Sequence, residues 1–255
     1  MLVDKEAGPS SFAIVRRVRQ RYGLKVGHAG TLDPFATGLL VCLLGRSTRL
    51  VRYLVGLDKR YATTIRLGVR TDTGDSEGAE TETTELPTRA QIEALRGAIE
   101  LQVPAASAVK IDGERAYRLH RAGQAPEMPM RRSEIHELEI LRLDPTELEL
   151  ALHVSSGTYI RAIADALGGH CTALRRTAVG PFALEDADEE RLLPPLAAVP
   201  HLPREELDAD GLRLATTGRG VPTAHEGPVA LVHDGELVAV AQAADGVAHP
   251  ETVLR

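Results

Sequence analysis

The chain has 255 residues, of which 43% are hydrophobic, enough for a substantial core and too many for a disordered protein. Its formal net charge of −6 argues at first against a nucleic-acid partner, and its two cysteines make neither a metal motif nor a disulfide framework. No apolar run approaches the roughly 20 residues that span a bilayer, and the N-terminus lacks a signal-peptide pattern. We therefore expect a cytoplasmic protein without a membrane partner.

The charges are unevenly distributed along the chain. Residues 1–70 carry 13 Lys and Arg against 4 Asp and Glu, whereas residues 183–255 carry 5 against 14. A basic N-terminal part suits a polyanion, because Lys and Arg gain affinity from phosphate contacts. The alternative is a solvated basic face that contacts nothing.

The first predicted elements are a short strand over residues 2–5 and a helix over residues 12–22. A serine in the turn at 8–11 can cap this helix, and Gly23 ends it. The helix carries four arginines, which either contact phosphate or form a solvent face: Arg16, Arg17, Arg19 and Arg21.

The loop at residues 27–38 has the most distinctive local sequence, Gly-His-Ala-Gly-Thr-Leu-Asp-Pro-Phe-Ala-Thr-Gly. Glycine permits turn conformations that other residues avoid, and proline fixes φ, so a shaped loop is predicted. The apolar run at 39–44 is expected to anchor this loop in the core. Asp33, the one acid of the loop, is then either a carboxylate for general-base or covalent chemistry or the cap of a turn.

The remainder of residues 1–184 mixes strands and helices without regular βαβ alternation. This favours an α+β fold with a mixed, largely antiparallel sheet. Residues 71–85 are predicted to form an acidic loop. Strands are expected at 61–69, 137–143 and 147–155, and helices at 88–99, 117–121 and 159–167.

The C-terminal part predicts a second, smaller unit. Residues 185–203 are acidic and then Pro-rich, as in a docking segment. Short strands separated by turns follow, with a good hairpin turn at 233–235. We expect a catalytic domain over 1–203, including the docking segment, and a small β-rich domain over 204–255 that packs on it, because about 50 residues are marginal alone.

The loop string resembles the catalytic motif of the tRNA pseudouridine-55 synthases of the TruB family, Gly-His-x-Gly-x-Leu-Asp-Pro followed by Ala-Thr-Gly. The opening Asp4-Lys5 with Gly8 is similar to the family's Asp-Lys-Pro-x-Gly, with Glu6 in place of Pro. Further segments resemble the family's other motifs: Asp58-Lys59-Arg60-Tyr61, Gln102-Val103-Pro104 with Ser107-Ala108-Val109-Lys110, and Gly157-Thr158-Tyr159-Ile160-Arg161 with Leu174-Arg175-Arg176.

The resemblance implies a role for each matching residue. Asp33 would be the essential catalytic carboxylate, and Tyr61 would stack on the target base and take part in proton transfer. Arg161 would orient Asp33 through a bidentate fork, a geometry that Lys cannot provide. Contacts with substrate or RNA are expected from His28, Tyr159, Lys110 and Lys5.

The resemblance also implies the reaction and the partner. The expected substrate is uridine 55 in the T loop of tRNA, and the protein would act as a monomer on the T arm. The N1 glycosidic bond breaks, the flipped uracil rotates and it rejoins the ribose through C5. This isomerisation involves no redox change, so we expect no nucleotide cofactor and no metal. Attack at C1′ and proton removal at C2′ both remain possible first steps for Asp33. The C-terminal domain would be PUA-like.

Two other functions compete with this interpretation. Asp72-Thr73-Gly74 is the aspartic-protease triplet, but that chemistry needs two carboxylates that share a proton, and a single triplet would require a homodimer. The same loop lacks the twelve-residue ligand spacing of a calcium loop. Loss of Asp33, Tyr61 or Arg161 would indicate a noncatalytic RNA-binding protein, and all three are present.

Overall fold

The fold combines a large mixed sheet with a smaller second sheet. It is described by a computed structural model that covers residues 1–84 and 86–254. Within these ranges the helices are α1 (Ser11–Tyr22), α2 (Arg89–Glu93), α3 (Ala116–Arg121), α4 (Ile160–Ala166) and α5 (Ala209–Thr216), with 3-10 segments at Gly45–Tyr53, Leu184–Asp186 and Pro195–Ala198.

The strands of the described residues are numbered in chain order. They are β1 (Leu2–Lys5), β2 (Val26–His28), β3 (Thr37–Leu44), β4 (Lys59–Leu67), β5 (Val69–Thr71), β6 (Glu80–Glu82), β7 (Gly97–Gln102), β8 (Lys110–Ile111), β9 (Glu114–Arg115), β10 (Met130–Leu143), β11 (Glu147–Val154), β12 (Gly169–Val179), β13 (Phe182–Ala183), β14 (Arg204–Glu206), β15 (Val221–Pro222), β16 (Gly227–His233), β17 (Glu236–Ala244) and β18 (Val247–Val253).

The large sheet has the strand order β1-β3-β12-β4-β11-β10-β7, with β2 paired to β3 and β13 paired to β12. Its pairs are antiparallel except β3 with β12, which run parallel. The predicted α+β fold with a mixed, largely antiparallel sheet is therefore confirmed. Helix α4 lies over the face of the sheet that carries the main buried cluster.

Helix α1 begins and ends where its caps predict. The Ser10 hydroxyl accepts a hydrogen bond from the Ala13 N–H at 3.2 Å, and Gly23 takes the left-handed conformation at φ +65° that few other residues adopt. Ile14 and Val18 are buried against Leu40. The arginines consequently lie on the outer face of the helix.

Two predictions about the sheet were wrong. The helix expected over 88–99 stops after one turn, because Gly97 at φ +91° begins β7, which pairs with β10. Strand β12, which lies between β3 and β4, was not predicted at all. Register shifts at Cys171/Ala173 and Arg176/Ala178 disrupt the alternation of polar and apolar residues that would reveal a strand.

The second sheet begins at Arg204 and has the order β14-β16-β17-β18-β15. The predicted hairpin turn at 233–235 joins β16 to β17. One buried cluster contains Leu2 and Val41 of the large sheet together with Val232 and Val240 of the second. The C-terminal unit therefore packs on the main one, as predicted, while the domain boundary between residues 203 and 204 stays a prediction.

Among the described residues, none of the helices has the length and the apolar character needed to cross a membrane.

Gly38 generates a stability prediction, because it has φ +100° and pairs with Arg176, whose backbone would collide with an added Cβ. Gly38→Ala should lower the free energy of unfolding by about 3 kcal/mol or more, through backbone strain and the clash. Gly45→Ala is the control, because Gly45 also has a positive φ, +57°, but open space around it, so about 1 kcal/mol is expected. Urea unfolding measures both. Equal losses would contradict the close approach at Gly38.

Candidate active site

The loop that carries Asp33 connects β2 to β3 and is held by hydrogen bonds from the side chain of Lys5 on β1. The Lys5 side chain is fully buried, and its Nζ donates to the carbonyls of Glu6, Pro34 and Ala36 at 2.9, 3.0 and 2.6 Å. Burial lowers the pKa of Lys5 below its usual 10.5, and the nearby Glu6 and Asp33 oppose that shift. Each such hydrogen bond to a charged group contributes about 1.5–3 kcal/mol, so Lys5 strongly constrains the loop.

A second buried cation, Arg176 of β12, holds the other side of the loop. Its Nε donates to the Leu39 carbonyl at 2.8 Å and its Nη2 to the Gly30 carbonyl at 3.0 Å. The Ser11 hydroxyl, at the start of α1, donates to the Leu32 carbonyl at 2.9 Å and accepts from the Leu32 N–H at 2.7 Å. The backbone on both sides of Asp33 is therefore fixed by side chains from distant parts of the chain.

Arg161 contacts the Asp33 carboxylate directly, as predicted, but not through a bidentate fork. Its Nε donates to Asp33 Oδ2 at 2.9 Å, while Nη1 donates to the Thr73 carbonyl and Nη2 to the Ala106 carbonyl. The bidentate geometry was wrong because these two carbonyls occupy the terminal nitrogens. The Arg161 side chain is 3% exposed and that of Asp33 is 33% exposed, so the carboxylate remains open to solvent above a buried cation.

The acidic loop between β5 and β6 provides a second carboxylate near Arg161. Asp75 Oδ2 lies 3.9 Å from Arg161 Nη1, and Asp75 Oδ1 accepts from the Thr73 hydroxyl at 2.7 Å. Asp72, the acid of the protease triplet, instead lies 3.4 Å from His120 Nε2 and accepts from the Ala79 N–H. Asp72 therefore shapes the loop between β5 and β6 through its bonds to other side chains and backbone of the same chain.

His28 lies at the end of β2, where the loop begins. Its Nε2 is 3.1 Å from the Thr31 hydroxyl, and the side chain is half-buried. Burial, with a smaller contribution from the charge of Arg176, lowers the pKa of His28 below 6.5. The imidazole is therefore neutral at neutral pH.

Tyr61 lies on β4, opposite Leu152 of β11 and Arg176 of β12. Its ring packs against the edge of the main buried cluster, which also includes Leu32 of the loop. Its hydroxyl has no hydrogen-bond partner among the described residues, so it is available to a ligand.

The remaining predicted contact residues occupy three different settings. Tyr159 comes two residues before Arg161 and packs against Val103, Ala116 and Met128 of the segment between β7 and β10. Lys110 is exposed on the β8–β9 hairpin of that segment. Lys5 is withdrawn from the surface, the reverse of what direct RNA contact requires, and its observed contacts position the loop instead.

Three residues that the structure places at the site were not predicted as site residues. Ser11 was considered only as part of a capping turn, Arg176 only as a member of a matched segment, and Asp75 only as part of the acidic loop at 71–85. The inward direction of the Arg176 side chain could not be predicted, because strand β12 was not predicted. A buried arginine is rare without a partner, so correct strand assignment would have drawn attention to it.

Across residues 1–84 and 86–254, no group of three or more His, Cys, Asp and Glu side chains is arranged to hold a metal ion. Cys42 and Cys171 are buried as free thiols, and burial raises their pKa values to about 11 and about 12. Neither is suited to act as a nucleophile, since a thiol must ionise to react.

Relatives of known name match the chain over almost its whole length. A tRNA pseudouridine synthase B of Thermobifida fusca is 41% identical over 99% of this chain and 97% of its own. One from Mycobacterium sp. (strain KMS) is 42% identical over 100% of this chain and 94% of its own.

Solved structures share the fold at lower identity. The Cbf5-Nop10-Gar1 complex contains a chain that matches with a TM-score of 0.74 and 23% identity, covering 100% of this chain and 84% of that one. An H/ACA RNP bound to a substrate RNA containing 2′-deoxyuridine matches with a TM-score of 0.73 and 22% identity, with the same coverage.

The family model for the N-terminal domain of TruB family pseudouridylate synthases matches residues 16–160, more than half of the chain and a range that includes Asp33. The chain thus belongs to the TruB family of pseudouridylate synthases, which are isomerases.

Proposed function

We propose that this chain converts uridine 55 in the T loop of tRNA to pseudouridine, with Asp33 as the essential carboxylate. The observation that carries the proposal is the solvent-open Asp33 carboxylate, 2.9 Å from a buried Arg161 on a loop held by Lys5 and Arg176. The names of the 41–42% identical relatives support tRNA as the substrate. The monomeric state and the cytoplasmic location stay predictions.

The reaction needs one carboxylate beside the ribose of an extruded uridine. The bond between N1 and C1′ breaks and a bond between C5 and C1′ forms, while C5 loses a proton to solvent and N1 gains one. The Asp33 carboxylate is exposed to solvent, so it can reach either C1′ or the C2′ proton of a bound uridine. Attack at C1′ and removal of the C2′ proton are both compatible with this exposure. A loop nucleotide costs less to extrude than one in a duplex, which suits the T loop.

The other side chains divide the remaining tasks. The free hydroxyl and half-buried ring of Tyr61 suit stacking on the flipped uracil and proton transfer. We assign substrate contact to His28 and Tyr159, and RNA contact to the exposed Lys110. For Lys5 we propose positioning of the Asp33 loop in place of direct RNA contact, since its ammonium is buried among carbonyls.

Asp33→Asn should abolish turnover, because an amide can neither attack C1′ nor remove a proton, while tRNA affinity stays within about tenfold since phosphate contacts supply it. Tritium release from tRNA transcript labelled with 5-[³H]uridine measures the reaction. Asp4→Asn is the matched control, because Asp4 is an exposed carboxylate paired with Arg175.

The outcomes of this experiment separate the candidate roles. Release by wild type and Asp4→Asn but not by Asp33→Asn supports the carboxylate assignment. A transcript with cytidine at position 55 should release less tritium if that uridine is the target. Retained activity in Asp33→Asn would end the assignment, and binding without release by wild type would indicate a noncatalytic RNA-binding protein.

Arg161→Lys should fold but lose most activity, about 100-fold or more. A lysine ammonium cannot hydrogen-bond the Asp33 carboxylate and the Thr73 and Ala106 carbonyls at once. Single-turnover tritium release at saturating tRNA gives the rate. Arg60→Lys provides a control at an exposed arginine whose partner is Glu137. A wild-type rate in Arg161→Lys would remove the orienting role.

His28→Gln should retain turnover within about tenfold, since a neutral amide can replace the contacts of a neutral imidazole. The pKa of His28 lies below 6.5, so its charged fraction falls further as the pH rises from 6.5 to 8. The wild-type and His28→Gln pH–rate profiles should therefore be parallel over this range. A rate that rises or falls with pH in wild type but not in His28→Gln would show that His28 transfers a proton.

A further inference from the structure

Helix α1 has an exposed aromatic at its first turn that the proposed chemistry does not use. Phe12 is 66% exposed, the highest value among the large hydrophobic side chains of the described residues that lie at the surface. The other two phenylalanines, Phe35 and Phe182, pack against buried clusters. The Phe12 ring is therefore open to contact by a partner, whereas Ile14, Val15 and Val18 of the same helix are buried.

The turn of α1 that carries Phe12 is hydrogen-bonded to the loop that carries Asp33. The preceding residue, Ser11, exchanges two hydrogen bonds with Leu32, the residue before Asp33. Phe12 and Asp33 are thus each one residue away from the same hydrogen-bonded pair. A nucleotide strand that presents a uridine to Asp33 would pass this end of the helix.

The arginines of α1 fall into two stripes with different surroundings. Arg17 and Arg21 are one turn apart, and the acidic segment after β13 neutralises them. Arg17 lies 2.8 Å from Glu189 and Arg21 binds Glu190 through both terminal nitrogens. These two arginines are thus already paired with carboxylates of the same chain.

The second stripe follows Phe12 itself. Arg16 and Arg19 lie four and seven residues after Phe12, on the same side of the helix. The Arg16 guanidinium is 5.6 Å from the centre of the Phe12 ring. No carboxylate among the described residues pairs with Arg16 or Arg19. One aromatic ring followed by two unpaired arginines is the pattern with which proteins hold single-stranded nucleic acid.

We propose that Phe12, Arg16 and Arg19 form a docking stripe for the tRNA nucleotides next to the target uridine, with a base stacked on Phe12 and phosphates on the arginines. This inference rests on the proposed function, since it assumes that RNA reaches Asp33. It also decides between the alternatives that the sequence left open for this helix. One stripe of arginines contacts phosphate, and the other forms ion pairs within the protein.

The test compares four variants of the full chain with wild type: Phe12→Ala, Phe12→Trp, Arg16→Gln/Arg19→Gln and Arg17→Gln/Arg21→Gln. The last is the matched control, because it removes the same charge from the same helix. Filter binding to unmodified tRNA transcript at several salt concentrations gives Kd and its salt dependence. Thermal unfolding of each variant confirms the fold, and the exposed positions predict little change in Tm.

Each variant has a distinct expected result. Phe12→Ala should raise Kd about tenfold without changing the salt dependence, because stacking is independent of salt. Phe12→Trp should keep the Kd of wild type, because the indole ring can also stack on a base. Arg16→Gln/Arg19→Gln should lower the slope of log Kd against log salt by about 1.5, since each phosphate contact contributes about 0.7–0.9. Arg17→Gln/Arg21→Gln should stay within about twofold of wild type.

Tritium release separates the failure of this proposal from the failure of the proposed function. The stripe assignment is wrong if wild type is active and Phe12→Ala and Arg16→Gln/Arg19→Gln both bind tRNA as tightly as wild type. It is also wrong if Arg17→Gln/Arg21→Gln loses as much tRNA affinity as Arg16→Gln/Arg19→Gln. If wild type neither binds nor modifies the transcript, the proposed function fails and the stripe with it. At saturating RNA the rates of all variants should lie within about threefold of wild type. A contact that stabilises the bound RNA and the transition state equally changes KM and leaves kcat unchanged.

Discussion

The geometry around Asp33 depends on buried cations that bind backbone carbonyls instead of carboxylates. Lys5 and Arg176 approach the loop from two strands of the large sheet and together contact carbonyls on both sides of the acid. A third cation, Lys59, lies nearby with its ammonium on the Val55 carbonyl and the Ser156 hydroxyl, and burial lowers its pKa to about 8. Charges buried without counterions are costly, and here backbone carbonyl dipoles, from the loop and from residues outside it, compensate them.

This arrangement has an electrostatic consequence for the site. Arg161 lies between Asp33 and the more distant Asp75, while Glu6 acts on Lys5 and Asp58 acts on Lys59. Four cations (Lys5, Lys59, Arg161 and Arg176) thus lie around the Asp33 loop although the whole chain carries −6. Such a cluster of cations favours the phosphates of a polyanion.

The acidic C-terminal part also affects which cations of the N-terminal part stay unpaired. The segment after β13 neutralises Arg17 and Arg21 of α1, and the second sheet shares a buried cluster with the first. Glu189 and Glu190 are thereby used within the protein, and the arginines that stay unpaired on α1 are those that follow Phe12. The net charge of the chain is consequently a poor guide to its partner, whereas the placement of unpaired charges is a better one.

The sequence by itself determined the features that depend on neighbouring residues: the caps of α1 at Ser10 and Gly23, the shaped loop around Asp33 and, by family resemblance, its pairing with Arg161. The tertiary structure alone decided the course of β12, the burial of Arg176 beneath the loop and the sorting of the α1 arginines. The reason is physical. Local signals arise within a few residues, whereas Arg17 meets Glu189 across 172 positions and Arg176 meets Leu39 across 137, separations at which no periodicity or spacing indicates contact.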